Sequence, residues 1–305
     1  MATFREKELY CQQTFLSGGP YWHLFTSGKQ TPIIFERVED YAFAMNVIAQ
    51  AALAFPTVKI LAFALMSNHL HILASGDEES IMRLFAFIRK RLARGLKKSG
   101  CGTLPDAFAA SIKEVADLDA LRNTIVYINR NGYVADPSHT PFNYPWGTAG
   151  YYFNRYRFNL WFKDLDTVAR RSMFRGRVPA FPGDTPLEDG YVSPIAYCSV
   201  KFGMAMFRDA HHYFAMVSKN VEACASVAAD IDDEEFLTDT ELFTRISAIV
   251  KERYHQPALR DLAKAQKLDL ARTLRYDFRS SNGQIRRILG LSQYEVDALF
   301  PLSAK

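Results

Sequence analysis

Cysteine is scarce and unpaired. Cys11, Cys101, Cys198 and Cys224 are the only four in 305 residues, and no two are spaced C-x-x-C. That argues against a zinc ribbon or a dithiol redox motif and for reduced thiols. No apolar run is long enough to span a bilayer. The opening MATFREKELY is charged by its fifth residue and lacks the apolar core of a secretory signal. The expectation is a cytoplasmic protein with no membrane partner. Internal repeats are also lacking. Residues 83–98 lack acid altogether: RLFAFIRKRLARGLKK holds seven basic residues and no Asp or Glu.

What is present is an ordinary globular composition, 49% hydrophobic and 23% charged, in a chain long enough for more than one domain. Net charge is only +4, but it is unevenly spread. Residues 241–305 carry 12 Lys/Arg against seven Asp/Glu, and DIDDEEFLTD at 230–239 is acidic. Two basic blocks about an acidic stretch suit a phosphate-rich partner, although a solvated helix face explains either block alone.

The hydrophobic pattern predicts a strand and turn over 21–28, a helix over 36–55 stopped by Pro56, and strands over 58–66 and 69–75 joined at Ser67-Asn68. A helix follows over 78–100, acidic at its start and basic at its end, as the macrodipole favours. A strand at 110–116 and a helix over 117–133, capped by Asp117, complete the series. The order β-α-β-β-α-β-α is an α+β arrangement. Its first six elements are ferredoxin-like, an antiparallel sheet with helices on one face, and the seventh is an extra helix. An aromatic loop follows, and then a mostly helical C-terminal region. The expected division is 1–160, a linking region at 161–240, and a helical domain at 241–305. In that last domain Ile285, Ile288, Leu289, Leu291, Val296 and Leu299 take the spacing of two helices joined at Gly290-Leu291-Ser292, a helix-turn-helix pattern.

LMSNHLHILA, residues 65–74, sets two histidines in an apolar strand. Alternate strand residues share a face, so His69 and His71 point the same way. Two imidazoles that close repel if both are protonated, and a shared divalent metal keeps both neutral. The plain alternative is a pair of hydrogen-bonded histidines. The helix over 117–133 offers what a metal site would need, because Tyr127 and Asn131 lie four apart on one face, a phenol nucleophile and a third ligand. A barrel-type metal hydrolase also uses H-x-H, but His23, His139, His211, His212 and His255 do not supply its further ligands.

MSNHLHILA resembles the histidine–hydrophobe–histidine (HUH) motif of the single-tyrosine transposases, usually M-P-N-H-x-H. YINRNGYVADPSHTPFNYPWGTAGYYF (127–153) is similar to their Y-I-x-x-N-P-V-x-A block followed by Y-x-W-S-S, a pair carried by the REP-associated tyrosine transposases. The likeness covers roughly residues 20–155, and the tail resembles that of the long-tailed members. Ser67 and Gly132 stand where the family has Pro, and Asn129 where His is common; none of these removes a reacting group.

The resemblance implies metal-dependent cleavage and strand transfer of single-stranded or hairpin DNA, through a 5′-phosphotyrosine. Tyr127 would be the nucleophile, and His69, His71 and Asn131 would hold Mg²⁺ or Mn²⁺. Arg83, Arg89, Lys90, Arg94 and Lys97 are expected to contact the DNA backbone, Tyr144 and Trp146 to stack unpaired bases, unless Trp146 with Phe142 simply pins the loop to the core, and Arg286 and Arg287 to bind DNA from the tail. The protein would act as a monomer or a homodimer. The alternative is a DNA-binding protein that kept the fold and lost turnover.

Overall fold

The structure is a computed structural model. It describes residues 3–29, 31–100, 102–135, 139–140, 142–219, 221–231, 237–278 and 280–301. Cys101, residues 232–236 of the acidic stretch, and residues 136–138 and 141 of the aromatic loop lie outside these. Two compact units are present, Met1–Gly132 with His139–Asn220, and Tyr133–Ser138 with Val221–Lys305.

The first unit opens on a helix that the hydrophobic pattern does not announce, α1 (Phe4–Gly18). Thr3 and Glu6 form a capping box, each side chain accepting the other's backbone N–H. Phe4, Leu9, Tyr10 and Leu16 remain exposed, so no apolar stripe holds α1 in place. Glu8 ties it down instead, accepting hydrogen bonds from the buried Arg122 and from Arg208.

Next come β1 (Tyr21–Thr26), α2 (Val38–Ala54), β2 (Lys59–Leu65), β3 (Leu70–Ser75), α3 (Glu78–Lys98), β4 (Ala110–Glu114) and α4 (Leu118–Ala135), in the expected order. The strands form one antiparallel sheet ordered β2-β3-β1-β4. All six residues of β3 are buried, as its central place requires. Helices α2 and α3 pack together, and Gly95 of α3 sits against the Phe43 ring with no room for a Cβ. The outer edge of β2 is covered by residues 146–148: Leu65 N–H donates to Trp146 O and Thr148 N–H to Phe63 O.

Residues 161–219, expected as a linking region, are packed into this unit. They hold α5 (Thr167–Met173), a short hairpin of β5 (Leu187–Glu188) and β6 (Tyr191–Val192), α6 (Val200–Met204) and α7 (Ala210–Lys219). Phe162, Phe174, Leu187 and Val192 cluster with Ala49 of α2.

The second unit is helical: α8 (Val221–Asp230), α9 (Asp239–Tyr254), α10 (Lys264–Tyr276), α11 (Asn282–Leu289) and α12 (Gln293–Leu299). Ile285, Leu289, Leu291 and Val296 enter its core, with Ile288 and Leu299 packed against it. Gly290 takes the left-handed conformation that ends α11, and Ser292 caps α12. Among the described residues no helix is long and apolar enough to cross a membrane.

Candidate functional site

The tight β2–β3 hairpin closes with Met66 N–H donating to His69 O, 2.9 Å. His69 lies just before β3 and His71 within it, and their rings stand perpendicular with centroids 5.0 Å apart. Leu70 and Ile72 alternate to the opposite face.

Asn68 decides how His69 is held. Its Nδ2 donates to Gly28 O (2.7 Å) and Thr31 O (2.8 Å), which fixes the amide's orientation. Oδ1 therefore faces His69 Nδ1, 2.7 Å away, and an amide oxygen only accepts. His69 must carry its proton on Nδ1, so its lone pair is on Nε2. Gly28 makes this approach possible, since a Cβ there would lie 2.7 Å from His69 Nδ1.

His71 is fixed from the neighbouring strand. In the β1–β3 register Phe25 opposes His71 and His23 opposes Leu73, so His23 is diagonal to His71 on the same face. His23 Nε2 lies 3.2 Å from His71 Nδ1, and both rings are buried. The sequence gives His23 no part in the site; the β1–β3 register sets it against His71. The signal that could have found it was its place in the strand 21–28.

Helix α4 covers this face. The Tyr127 ring meets His71 edge-on with centroids 5.5 Å apart, and His23 at 6.2 Å. Tyr127 is only 2% exposed. One turn on, Asn131 is 6% exposed and its side-chain nitrogen is buried without a hydrogen-bond partner. The buried imidazoles of His23 and His71 thus lie against the buried Tyr127 ring, with the half-buried His69 beside His71. Asn129, on the same helix, donates to Tyr213 Oη and accepts from Thr148, which makes it part of the scaffold.

Among the described residues no three His, Cys, Asp or Glu side chains are grouped to hold a metal. His23 is turned to His71 and is not a third ligand. The donor set that fits is smaller. His69 and His71 both engage Nδ1 within the protein, which leaves Nε2 as the ring nitrogen each could offer to an ion. Asn131 Nδ2 is buried without a hydrogen-bond partner; the same amide turned over would set its oxygen there, where a cation would satisfy it.

The remaining expected residues lie elsewhere. Arg83, Arg89, Lys90, Arg94 and Lys97 are on α3, which packs against α2. Arg89 serves the scaffold, its Nε donating to Phe108 O (3.1 Å) and its Nη2 to Asp106 (3.3 Å). Tyr144, expected to stack bases, is 7% exposed and donates to Leu65 O at 2.8 Å. Its ring closes on Gly132, which explains why no larger residue stands there. Trp146 is stacked on Tyr41 at 5.0 Å and packed on Tyr191, so it pins the loop to α2 and β6. In the second unit Arg287 grips Asp239 through two hydrogen bonds, and Arg286 donates to Gln293.

No protein-family model and no curated protein sequence matches the chain. Among solved structures, one of a REP-associated tyrosine transposase bound to a REP hairpin is similar, at TM-score 0.35 and 12% identity, over 56% of this chain and 94% of that one. Backbones that diverge this far leave function to be argued from the residues themselves.

Proposed function

We propose that this protein cleaves and rejoins single-stranded or hairpin DNA through Tyr127, as a transposase of the single-tyrosine HUH type. The observation that carries the reading is the meeting of the Tyr127 ring with His71, itself paired side by side with His69. The strand order β2-β3-β1-β4 supports a ferredoxin-like arrangement, with α4 as the added tyrosine-bearing helix.

In this reading His69, His71 and Asn131 hold Mg²⁺ or Mn²⁺. When bound, the ion supplies charge neutralisation at the scissile phosphate and the departing oxygen. Asn68 fixes the His69 tautomer, and His23 holds the His71 ring. Tyr127 Oη loses its proton to solvent and attacks phosphorus. The P–O3′ bond breaks and the 3′ oxygen takes up a proton, leaving a 5′-phosphotyrosine and a free 3′-OH. Attack by another 3′-OH reverses the step with no further energy source. Lys90, Arg94 and Lys97 remain the proposed phosphate contacts on α3.

The burial of Tyr127 favours a second reading, a DNA-binding protein without turnover, because a phosphate reaches the phenol only if the face under α4 opens. One experiment separates the two. The full chain is incubated with a single-stranded hairpin oligonucleotide and Mn²⁺ and resolved under denaturing conditions. The expected result is a covalent adduct that Tyr127→Phe abolishes while Mn²⁺ binding persists, and that His69→Ala abolishes together with Mn²⁺ binding. An adduct undiminished in Tyr127→Phe moves the nucleophile elsewhere. Binding without any adduct leaves the second reading.

A further inference from the structure

Where the resemblance ends, residues 154–160 (NRYRFNL) run with neither helix nor strand. Aromatic rings follow one another along it: Tyr151 to Tyr156 at 5.6 Å, Tyr156 to Phe158 at 5.4 Å, and Phe158 to Trp161 at 6.3 Å between centroids. Tyr156 is 38% exposed, and Phe158 and Trp161 are half-buried. Arg155 and Arg157 interleave with these rings. Both are exposed, and neither guanidinium makes an ion pair or hydrogen bond among the described residues.

The charge continues downstream. Residues 154–177 contain seven Lys/Arg and two Asp. Asp164 accepts the Trp161 N–H and Asp166 the Ala169 N–H, so both acids cap backbone and pair with none of these cations. The feature that sets this segment apart is the alternation of linked rings with exposed arginines, a 38% exposed Tyr156 standing between Arg155 and Arg157. Arg170 and Arg175 of this run are bonded into the scaffold, as Arg89 and Arg91 of α3 are, so the inference rests on Arg155 and Arg157.

We infer that residues 154–161 bind a single strand of DNA. Arg155 and Arg157 contact phosphates, and Tyr156 and Phe158 offer ring faces to unpaired bases. Duplex DNA, whose bases are already stacked on one another, gains nothing from the rings. The inference deepens the proposed function by giving the strand a track outside the histidine pocket, and it rests on that reading for the identity of the strand.

The test needs no cleavage. Binding of the full chain to a labelled, unstructured oligonucleotide is followed by anisotropy in EDTA over a salt series, beside the same sequence as duplex. Arg155→Ala with Arg157→Ala is expected to reduce the slope of log K against log salt by about 1.4, from about 0.7 per phosphate contact on single strands. Tyr156→Leu, which keeps apolar bulk and removes the ring, is expected to weaken single-strand binding roughly 5- to 100-fold and leave duplex binding unchanged. An unchanged salt slope overturns the inference. So does equal weakening for duplex and single strand, or failure of the wild type to bind single strands. Single-strand binding that depends on these residues, in a protein that forms no adduct, supports the ribbon and removes the cleavage reading alone.

Discussion

His23 Nε2 lies 3.2 Å from His71 Nδ1, across two neighbouring strands and inside the core. One of these nitrogens carries the proton, and the contact leaves the His71 ring a single orientation relative to Tyr127. Replacing His23 by Phe keeps ring volume and removes the partner. The expected outcome is a change in the His71 tautomer, read from imidazole ¹⁵N shifts in the metal-free protein, and a roughly 10- to 100-fold loss in Mn²⁺ affinity. His23→Gln, which can still hydrogen-bond, should recover part of both. Unaltered His71 shifts in His23→Phe would remove the positioning role.

Gly28 is the corresponding support for His69. Its φ is not in the left-handed region, so the backbone accepts alanine, but the new Cβ would lie 2.7 Å from His69 Nδ1. The ring must move off Asn68. Gly28→Ala should therefore weaken Mn²⁺ binding with a stability cost of only about 1 kcal/mol, the worth of one hydrogen bond. A thermal melt and a metal titration on the same sample check the two halves. Wild-type metal affinity would mean that the ring's contact with Asn68 does not matter.

Glu8 makes stability depend on pH. The Arg122 hydrogen bond holds its carboxyl below the ordinary value, burial opposes this, and Arg208 adds to the lowering. A depressed carboxylate stabilises the fold above its unfolded pKa of about 4.3, and that contribution is lost as pH falls through the lower folded value. Glu8→Gln should cost about 1–2 kcal/mol at neutral pH. This is less than the cost of breaking a fully buried pair, because Glu8 is about a third exposed and Arg122 keeps its bond to Met206 O. The gap between wild-type and variant melting temperatures should narrow as pH falls below about 4.3 and close once pH is below the folded value. A gap independent of pH would mean that packing, not charge, holds α1.

The basic residues of α3 should separate into two kinds. Arg89→Ala is expected to lower stability by about 1 kcal/mol through the lost bond to Phe108 O, seen in denaturant unfolding. Arg94→Ala with Lys97→Ala, both exposed, should leave stability unchanged and flatten the salt dependence of oligonucleotide binding. An unchanged slope would make that face an ordinary solvated one.

The order of elements from β1 to α4 was legible because each carries its signature locally. Asp117 accepts the Ala120 N–H as a cap, and Asp77 does the same for Ser80 at the start of α3. Alternation within one strand was enough to set His69 beside His71, and one helical turn to align Tyr127 with Asn131. Even α1 carries a mark in Thr3-x-x-Glu6, but its exposed Phe4, Leu9, Tyr10 and Leu16 give no apolar stripe to announce a helix.

Only the tertiary structure decided which side chains meet across elements. It placed His23 on His71, closed Tyr144 over Gly132, and turned Arg89 to Phe108 O and Arg287 to Asp239. These meetings depend on strand register and helix docking, which are set by burial summed over residues far apart in the chain. A slip of one residue in β1 would send His23 to the opposite face of the sheet while leaving its local sequence unchanged.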